Sequence, residues 1–587
     1  MTFAPALRLV TNMDDANDLV EWAADPARRM LALDIETEGL RVASIHRTRL
    51  VQVGDSEAGW AIPADEYFGV LREVLRRHGD RLIVGHNICG FDYRGLAKRG
   101  VHLPWHQITD TMLAQRLLDN STRAGLKIMA SRLVDPRAAA ESDQLKRTYK
   151  AEGYSWGTIP VDHPHYWEYS ALDTCLTHAV AEVVLPQIKA EGMSALLDKE
   201  VLAALILSAA ADRGIPVDES ACAQSVLDVR YEQVSVTAEL AAFGITEPSK
   251  PRQVADALEA SGVKLTVRTA TGLPSTAKDV LEALAAKGVP VAAAVVEWRR
   301  LQRLAENYLV PISGEYLDAD GRVRYGVRSF GADTGRISVE SPALHQLPKQ
   351  DTTVRKCVRA PKGEAIVAVD FDQVEPRVMS HMIQEDAWTA AVHNGESFHA
   401  INAAAIYGPD YTKKQYQLAK NTGMALLYCG GVRKLAATAG VSQGEMQALK
   451  DRFFTEFPKA AQFVKRVIRT GEEREYADGA PWVKLPSGRR VVADPGYAYK
   501  LLACLGQGTG ADILKDALVR CEFAGLNDTL VLTVHDEVVH VCEADEAEER
   551  ARAIAKQMED SDTFRVPITA TASTGPSWGE MTELEAA

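Results

Sequence analysis

The sequence lacks any uninterrupted apolar run near the roughly 20 residues needed to cross a bilayer as a helix, which speaks against a membrane protein. Its eight cysteines are scattered and form no C-x-x-C pair. That spacing argues against a structural zinc site or a disulfide framework and suits a reducing cytoplasm. The opening MTFAPALRLVTNMDD carries acids where a signal peptide would carry its apolar stretch. No phosphate-loop signature G-x-x-x-x-G-K-[ST] occurs, which speaks against a P-loop motor, and there is no internal repeat or low-complexity tract. Net positive charge is lacking too: the formal total is −14, at face value unfavourable for a polyanionic partner.

The distribution of charge says more than the total. Residues 410–500 hold 16 Lys and Arg against 9 Asp and Glu, a local +7, whereas the end of the chain is acidic, as in EADEAEER (543–550). One basic stretch in an acidic chain allows local nucleic-acid binding, with metal ions held elsewhere. At 587 residues the chain should hold several domains, since single cores stop growing near about 250–300 residues.

Strand-like runs MLALDIE (30–36), LVQVGD (50–55) and RLIVGHN (81–87) alternate with helical stretches, which predicts an α/β domain over 1–190. From 191 to 310 the pattern is helical, and Pro311 is expected to stop the helix AAAVVEWRRLQRLAENYLVP. Strand signals return in GRVRYGV and EAIVAVDF. Residues 385–505 then read as mostly helical, LNDTLVLTVHDEVVHV as a hairpin, and EADEAEERARAIAKQMED as an amphipathic helix.

Two acid clusters stand out. In the first, Asp34 and Glu36 project from one face at a strand end, where like charges repel unless a cation or solvent compensates them. Downstream, GHNICGFD supplies Asn87 and Asp92, and HYWEYSALD places Tyr169 and Asp173 four apart on one helical face. In the second, VDFDQVEPRV (369–378) puts Asp370, Asp372 and Glu375 at the mouth of an apolar run. A solvated strand end, a metal site and a helix start all remain open for it. Its distant counterpart is TVHDEVVH, with Asp536 and Glu537 in an apolar hairpin.

The motifs D-x-E, N-x-x-x-F-D and Y-x-x-x-D, in that order, resemble the Tyr-containing branch of the DEDD-type 3′–5′ exonucleases. That resemblance covers roughly 28–190 and implies a ribonuclease-H-like fold. Asp34, Glu36, Asp92 and Asp173 would then hold two Mg²⁺ ions, and Tyr169 would orient the attacking water.

From about 200 to 580 the chain resembles the family A (DNA polymerase I type) DNA polymerases. AVDFDQVEPRV looks like their motif A and VHDEV like motif C. TGRIS with PALHQLP, and QGTGADILKDA, are similar to two further stretches, and KPRQVADAL with LPSTAKDVLEAL looks like the thumb. The combined fold class is multidomain α/β and α+β, a ribonuclease-H-like exonuclease domain followed by a right-hand polymerase. The implied domains are exonuclease 1–190, thumb 191–310, first part of the palm 311–384, fingers and adjoining palm helices 385–505, and second part of the palm 506–587.

The resemblance implies that Asp370 and Asp536 are metal ligands, helped by the Phe371 carbonyl, with two Mg²⁺ per active site and Mn²⁺ as a substitute. Glu375 becomes the gate against a ribose 2′-OH, and Gln373, Arg377, His399, Lys420, Met424 and Tyr428 contribute to nucleotide binding. Lys420 would also assist the pyrophosphate leaving group. Arg336, Gln507, His535 and Glu537 would lie along the primer end, Glu537 as support rather than as an essential ligand.

The nucleotide-binding helix departs from the pattern: in YQLAKNTGMALLYCG, Met424 replaces an aromatic, Tyr416 an arginine, and Ala425 and Cys429 two glycines. Lys413, seven residues before Lys420, is a candidate substitute for the missing arginine. Glu375, just before Pro376, is expected to cap the following helix, and Asp372 to be a solvated or hydrogen-bonded bystander, rather than a weak auxiliary ligand, whose replacement by serine is nearly silent.

By this reading the protein is an enzyme, a DNA-directed DNA polymerase with 3′–5′ proofreading. It is phage-like, lacks a 5′-nuclease domain, and works on primer-template DNA and dNTPs in the cytoplasm, that of the host if phage-encoded. A replication helicase, primase or clamp is a candidate partner, and the short thumb argues against thioredoxin. Two rival readings stand: an editing nuclease with a decayed polymerase half, and a non-catalytic DNA-binding replication factor.

Overall fold

The computed structural model describes residues 3–39, 47–138, 140–347, 351–560 and 562–585; Pro348, the last residue of PALHQLP, lies outside the described residues. The chain divides into two compact units, each assembled from separated segments. Met1–Gly214, Arg324–Glu340 and Thr470–Asp536 make the first, and Ile215–Val323, Ser341–Arg469 and Glu537–Ala587 the second.

In the first unit, β1 (Ala6–Leu9), β2 (Met30–Thr37), β3 (Thr48–Gly54), β4 (Ala58–Pro63), β5 (Leu82–Gly85) and β6 (Ile108–Asp110) form one sheet in the order β1-β4-β3-β2-β5-β6. β2 is antiparallel to β3 and parallel to β5, so its backbone is paired on both edges. Leu31, Ala32, Leu33 and Ile35 of β2 are buried, as a strand covered on both faces requires. The helix Pro164–Ala190 packs across β2, β3 and β4, with proline at its first position, where a missing N–H costs no hydrogen bond. The α/β expectation for this region therefore holds. β1, β4 and β6 had no clear signal, being short or apolar throughout. The helices Ser194–Arg213 and Leu501–Phe523 of the same unit are tied by the Lys515 ammonium on the Glu200 carboxylate, 2.7 Å apart with both side chains fully buried.

In the second unit the central strand Glu364–Phe371 pairs antiparallel with Glu537–Glu543 on one side and Ala570–Ser577 on the other. The helix Ala547–Met558 packs against this sheet. A separate helical core gathers Leu240, Val254, Leu258, Leu281, Val295 and Trp298. Another set of helices is held around Trp388, whose ring lies 4.8 Å from Phe457 and 4.9 Å from Phe398 and whose Nε1 donates to Asn402 at 3.1 Å.

Two local expectations are corrected. Pro311 does not stop its helix: Pro290–Arg303 passes into a wider turn, Leu304–Leu309, and continues as Val310–Ser313. The Val310 N–H reaches back to the Ala305 carbonyl, a five-residue step that makes room for the proline ring. GRVRYGV is not one strand but two short ones, Arg322–Val323 and Gly326–Arg328.

Candidate active sites

In the first unit, β2 carries Asp34 and Glu36 on one face. Asp92 opens the helix Asp92–Lys98, and its Oδ1 accepts from the Ile35 N–H at 2.9 Å, which ties the second acidic motif to the first. The turn before it depends on Asn87 in the left-handed region (φ 64°), a conformation that asparagine tolerates. Asp110 fastens that turn by accepting from the Asn87 N–H at 3.0 Å while it caps the helix Thr111–Leu118. The helix Pro164–Ala190 delivers Tyr169 and Asp173, so all five residues expected here belong to one cluster.

Burial pushes Asp34 up to about 7, with the charge of Asp173 adding to it against a bond to Asp92. Burial likewise raises Glu36, with Asp34 and Asp173 contributing, and raises Asp92, with Asp34 contributing. Asp173 is raised by burial and restrained by Lys127, whose ammonium rests on its Oδ1 and lies 4.4 Å from the Tyr169 ring centre. The charge of Asp173, then burial, holds the Tyr169 phenol protonated.

Among the described residues no group of three or more His, Cys, Asp and Glu side chains is already spaced as a metal shell. The donor set nevertheless fits a hard divalent cation: carboxylates that repel one another in a buried site, one of them drawing in a lysine. Lys127, Asp110 and the exposed indole of Trp156, 6.1 Å from the Tyr169 ring, were not picked out from the sequence. Lone residues outside a motif gave no signal.

In the second unit, Asp370 lies opposite Glu537 in the antiparallel ladder; Asp536, the preceding residue in the chain, is counted in the first unit. Glu537 is buried. It accepts from Trp578 Nε1 at 2.8 Å and lies 3.8 Å from Arg355, whose guanidinium stacks on Trp578 at 3.9 Å. This arrangement makes Glu537 a strut. Asp372 accepts from the hydroxyls of Thr569 and Thr571, each at 2.7 Å. Arg377 donates to the carbonyls of Asp372 at 2.6 Å and Pro567 at 2.5 Å, bracing the same turn.

The helix that follows begins at Val374, and its cap is Gln373 in the left-handed region (φ 48°), not Glu375 as expected. Pro376 is tolerated two positions further in, because the first four N–H groups of a helix have no partner inside it. Glu375 therefore sits in the first turn and accepts from the Tyr428 hydroxyl at 2.9 Å.

Tyr428 ends the helix Lys413–Leu427, which starts with a reciprocal cap between Thr412 and Gln415 and carries Lys420 exposed. Burial, then the charge of Lys420, holds His399 below its usual value, so the structure brings His399 and Lys420 together. Met424 is half-buried on that helix, and Tyr416 stacks on Tyr411 with ring centres 6.2 Å apart. Lys413 is exposed at the helix start.

Arg336, Gln507, His535 and Asp536 belong to the first unit, and Asp370 to the second. The Arg336 carbonyl closes a tight loop by accepting from the N–H groups of Gly331 and Ala332. Gln507 lies on the helix Leu501–Phe523, and His535 is exposed with φ 59° just after the strand Leu530–Val534.

An acid cluster stands on the mixed sheet of the first unit, and a carboxylate-bearing antiparallel sheet with a lysine- and tyrosine-bearing helix in the second. The chain belongs to DNA polymerase family A: that family's profile matches residues 223–580, and a 3′-5′ exonuclease profile matches residues 7–189. It is a DNA-directed DNA polymerase with a 3′–5′ exonuclease domain, and both domain types depend on divalent metal.

Among similar proteins is the DNA polymerase of Mycobacterium phage D29, 27% identical over 554 residues, covering 90% of this chain and 89% of the relative. The DNA polymerase of Mycobacterium phage L5 is 26% identical over 558 residues with the same coverage. A solved structure, the POL domain of Pol1 from M. smegmatis in complex with DNA primer-template and dNTP, has the same fold with a TM-score of 0.81. It is 20% identical and covers 98% of this chain and 99% of its own. No described helix is long and apolar enough to cross a membrane.

Proposed function

We propose that this chain copies primer-template DNA from dNTPs at Asp370 and Asp536 and removes mispaired 3′ ends at the Asp34, Glu36, Asp92 and Asp173 cluster. The observation that carries the reading is the ladder that sets Asp370 at the end of a buried strand opposite Glu537, the next residue after Asp536. Mg²⁺, or Mn²⁺ in its place, would supply the positive charge that draws the 3′ oxygen into attack and eases the leaving group away.

The protein's own groups do the rest. Lys420 meets the triphosphate beside a neutral His399. Glu375, held by Tyr428, fills the space of a ribose 2′-OH, while Gln373 and Met424 border the nucleotide and Arg377 braces the loop. Lys413 approaches the triphosphate where the family's arginine is missing. Arg336 and Gln507 read the minor groove at the primer end, with His535 beside it. In the nuclease cluster, the protonated Tyr169 donates to and orients the attacking water.

The domain assignment that goes with this is exonuclease 1–190, thumb 191–310, palm 311–384 and 506–587, and fingers with adjoining palm helices 385–505. A phage replication setting in a host cytoplasm fits the relatives from Mycobacterium phages.

The test is primer extension with dNTPs and Mg²⁺ alongside degradation of single-stranded DNA. Both activities are expected from the wild type. Degradation without extension would favour an editing nuclease instead.

A further inference from the structure

Arg489 is fully buried, although it lies in the hairpin between Trp482–Lys484 and Arg490–Val492. A buried guanidinium must be paired, and each donor it spends shows what it holds. Its partner is Asp512, 2.9 Å from Nη2, itself buried and accepting from the Ser487 hydroxyl at 2.6 Å. Nε donates to Asp512 Oδ2 at 3.4 Å, and the two N–H bonds of Nη2 go to backbone carbonyls, Thr334 at 2.9 Å and Gly508 at 3.0 Å. The face of the group rests 5.0 Å from the Phe330 ring centre.

The two carbonyls belong to the two sequence motifs of this unit that carry DNA-facing candidates. Thr334 is two residues before Arg336 in T-G-R, and Gly508 follows Gln507 in Q-G-T. A glycine at each motif admits the guanidinium. At Gly335, whose φ is +87°, an added Cβ would stand 2.2 Å from Nη1 of Arg489. At Gly508 it would stand 3.0 Å from the Thr334 carbonyl, 3.1 Å from Nη2 and 2.8 Å from Leu485 Cδ1. Both glycines therefore serve close approach, and one cation fastens two strips of backbone from separate parts of the chain.

We propose that Arg489, held by Asp512, is a positioning residue that sets Arg336 and Gln507 at the spacing needed to recognise the primer's terminal base pair through its minor groove. The inference rests on the assignment of Arg336 and Gln507 given above. Lysine in its place keeps the charge and loses the fork: a single ammonium cannot reach Asp512 and both carbonyls in one plane. The consequence is a loss of primer-end discrimination, with nucleotide affinity retained.

The experiment is single-turnover extension from a primer ending in guanine, and from one ending in 3-deazaguanine, which lacks the N3 acceptor of the minor groove. It is run with the full-length wild type, Arg489→Lys and Arg336→Ala. The wild type is expected to slow about tenfold or more on the analogue, the worth of one charge-assisted bond. Arg489→Lys is expected to be slow on both primers by a similar factor, with almost no difference between them and with the KM for dNTP unchanged. Its degradation of single-stranded DNA should match the wild type. If Arg489→Lys fails that folding control, Gly508→Ala, which crowds the same guanidinium, carries the comparison.

An Arg489→Lys enzyme as sensitive to the analogue as the wild type overturns the positioning role alone. A wild type indifferent to the analogue overturns the reading of Arg336 and Gln507, and the inference with it.

Discussion

The Tyr428 hydroxyl donates to a Glu375 carboxylate oxygen at 2.9 Å, joining the helix Lys413–Leu427 to the first turn of the helix Val374–Ile383. A hydrogen bond to a charged group contributes about 1.5–3 kcal/mol. Tyr428→Phe is therefore expected to free Glu375 and reduce the preference for dNTP over rNTP by about tenfold. Comparing kcat/KM for dCTP and CTP checks this; an unchanged ratio would mean that Glu375 is held in place without the tyrosine.

The Lys127 ammonium pairs with the Asp173 carboxylate in the acid cluster of the first unit. Removing one partner of a partly buried pair costs about 3 kcal/mol, at the low end for fully buried pairs. Lys127→Met should thus melt several degrees lower than the wild type in chelator and recover most of that loss in Mn²⁺. Equal melting temperatures in chelator would contradict the pairing.

His86, on the turn leading to Asp92, bonds Thr111 through Nδ1 at 2.8 Å, and burial pushes its imidazole down to about 4. A depressed folded-state value gives stability that is present above the ordinary value of 6.5 and is lost as pH falls through about 4. At about 1.4 kcal/mol per unit, the loss is on the order of 3 kcal/mol. Urea unfolding at pH 7 and pH 4.5 should show a smaller drop for His86→Gln than for the wild type. The raised acids nearby respond in the opposite sense, so the difference between the two proteins is the quantity to read.

Asp372 is hydrogen-bonded, one of the two states expected of it, and those bonds decide what its replacement does. Both its carboxylate oxygens are engaged by the half-buried Thr569 and Thr571, so Asp372→Ser leaves a threonine hydroxyl without its acceptor, at about 1 kcal/mol, the low end for a buried group. A lower melting temperature with kcat reduced less than tenfold is expected. A silent substitution would restore the bystander role.

What could be read from the sequence follows from spacing. Asp34 and Glu36, or Tyr169 and Asp173, are fixed by strand and helix periods, and a carboxylate at a strand mouth stands out against an apolar run. Thr569, Thr571 and Trp578 fasten Asp372 and Glu537 from 200 or fewer residues away in the chain, and nothing local marks them. Arg489 reads as one arginine among many in a basic stretch until burial singles it out. The cap of the motif A helix was misplaced because proline is compatible with any position of a first turn, and Gln373 took the left-handed conformation that begins the helix.

The central claim is that synthesis and editing are run by two separate sets of carboxylates in one chain. The most direct measurement is a paired assay of Asp370→Ala and Asp34→Ala, following extension of a primer-template and degradation of single-stranded DNA by the same preparations. The account predicts that Asp370→Ala abolishes extension and keeps degradation, and that Asp34→Ala does the reverse. Loss of both activities in either variant, in a protein that melts like the wild type, would contradict it.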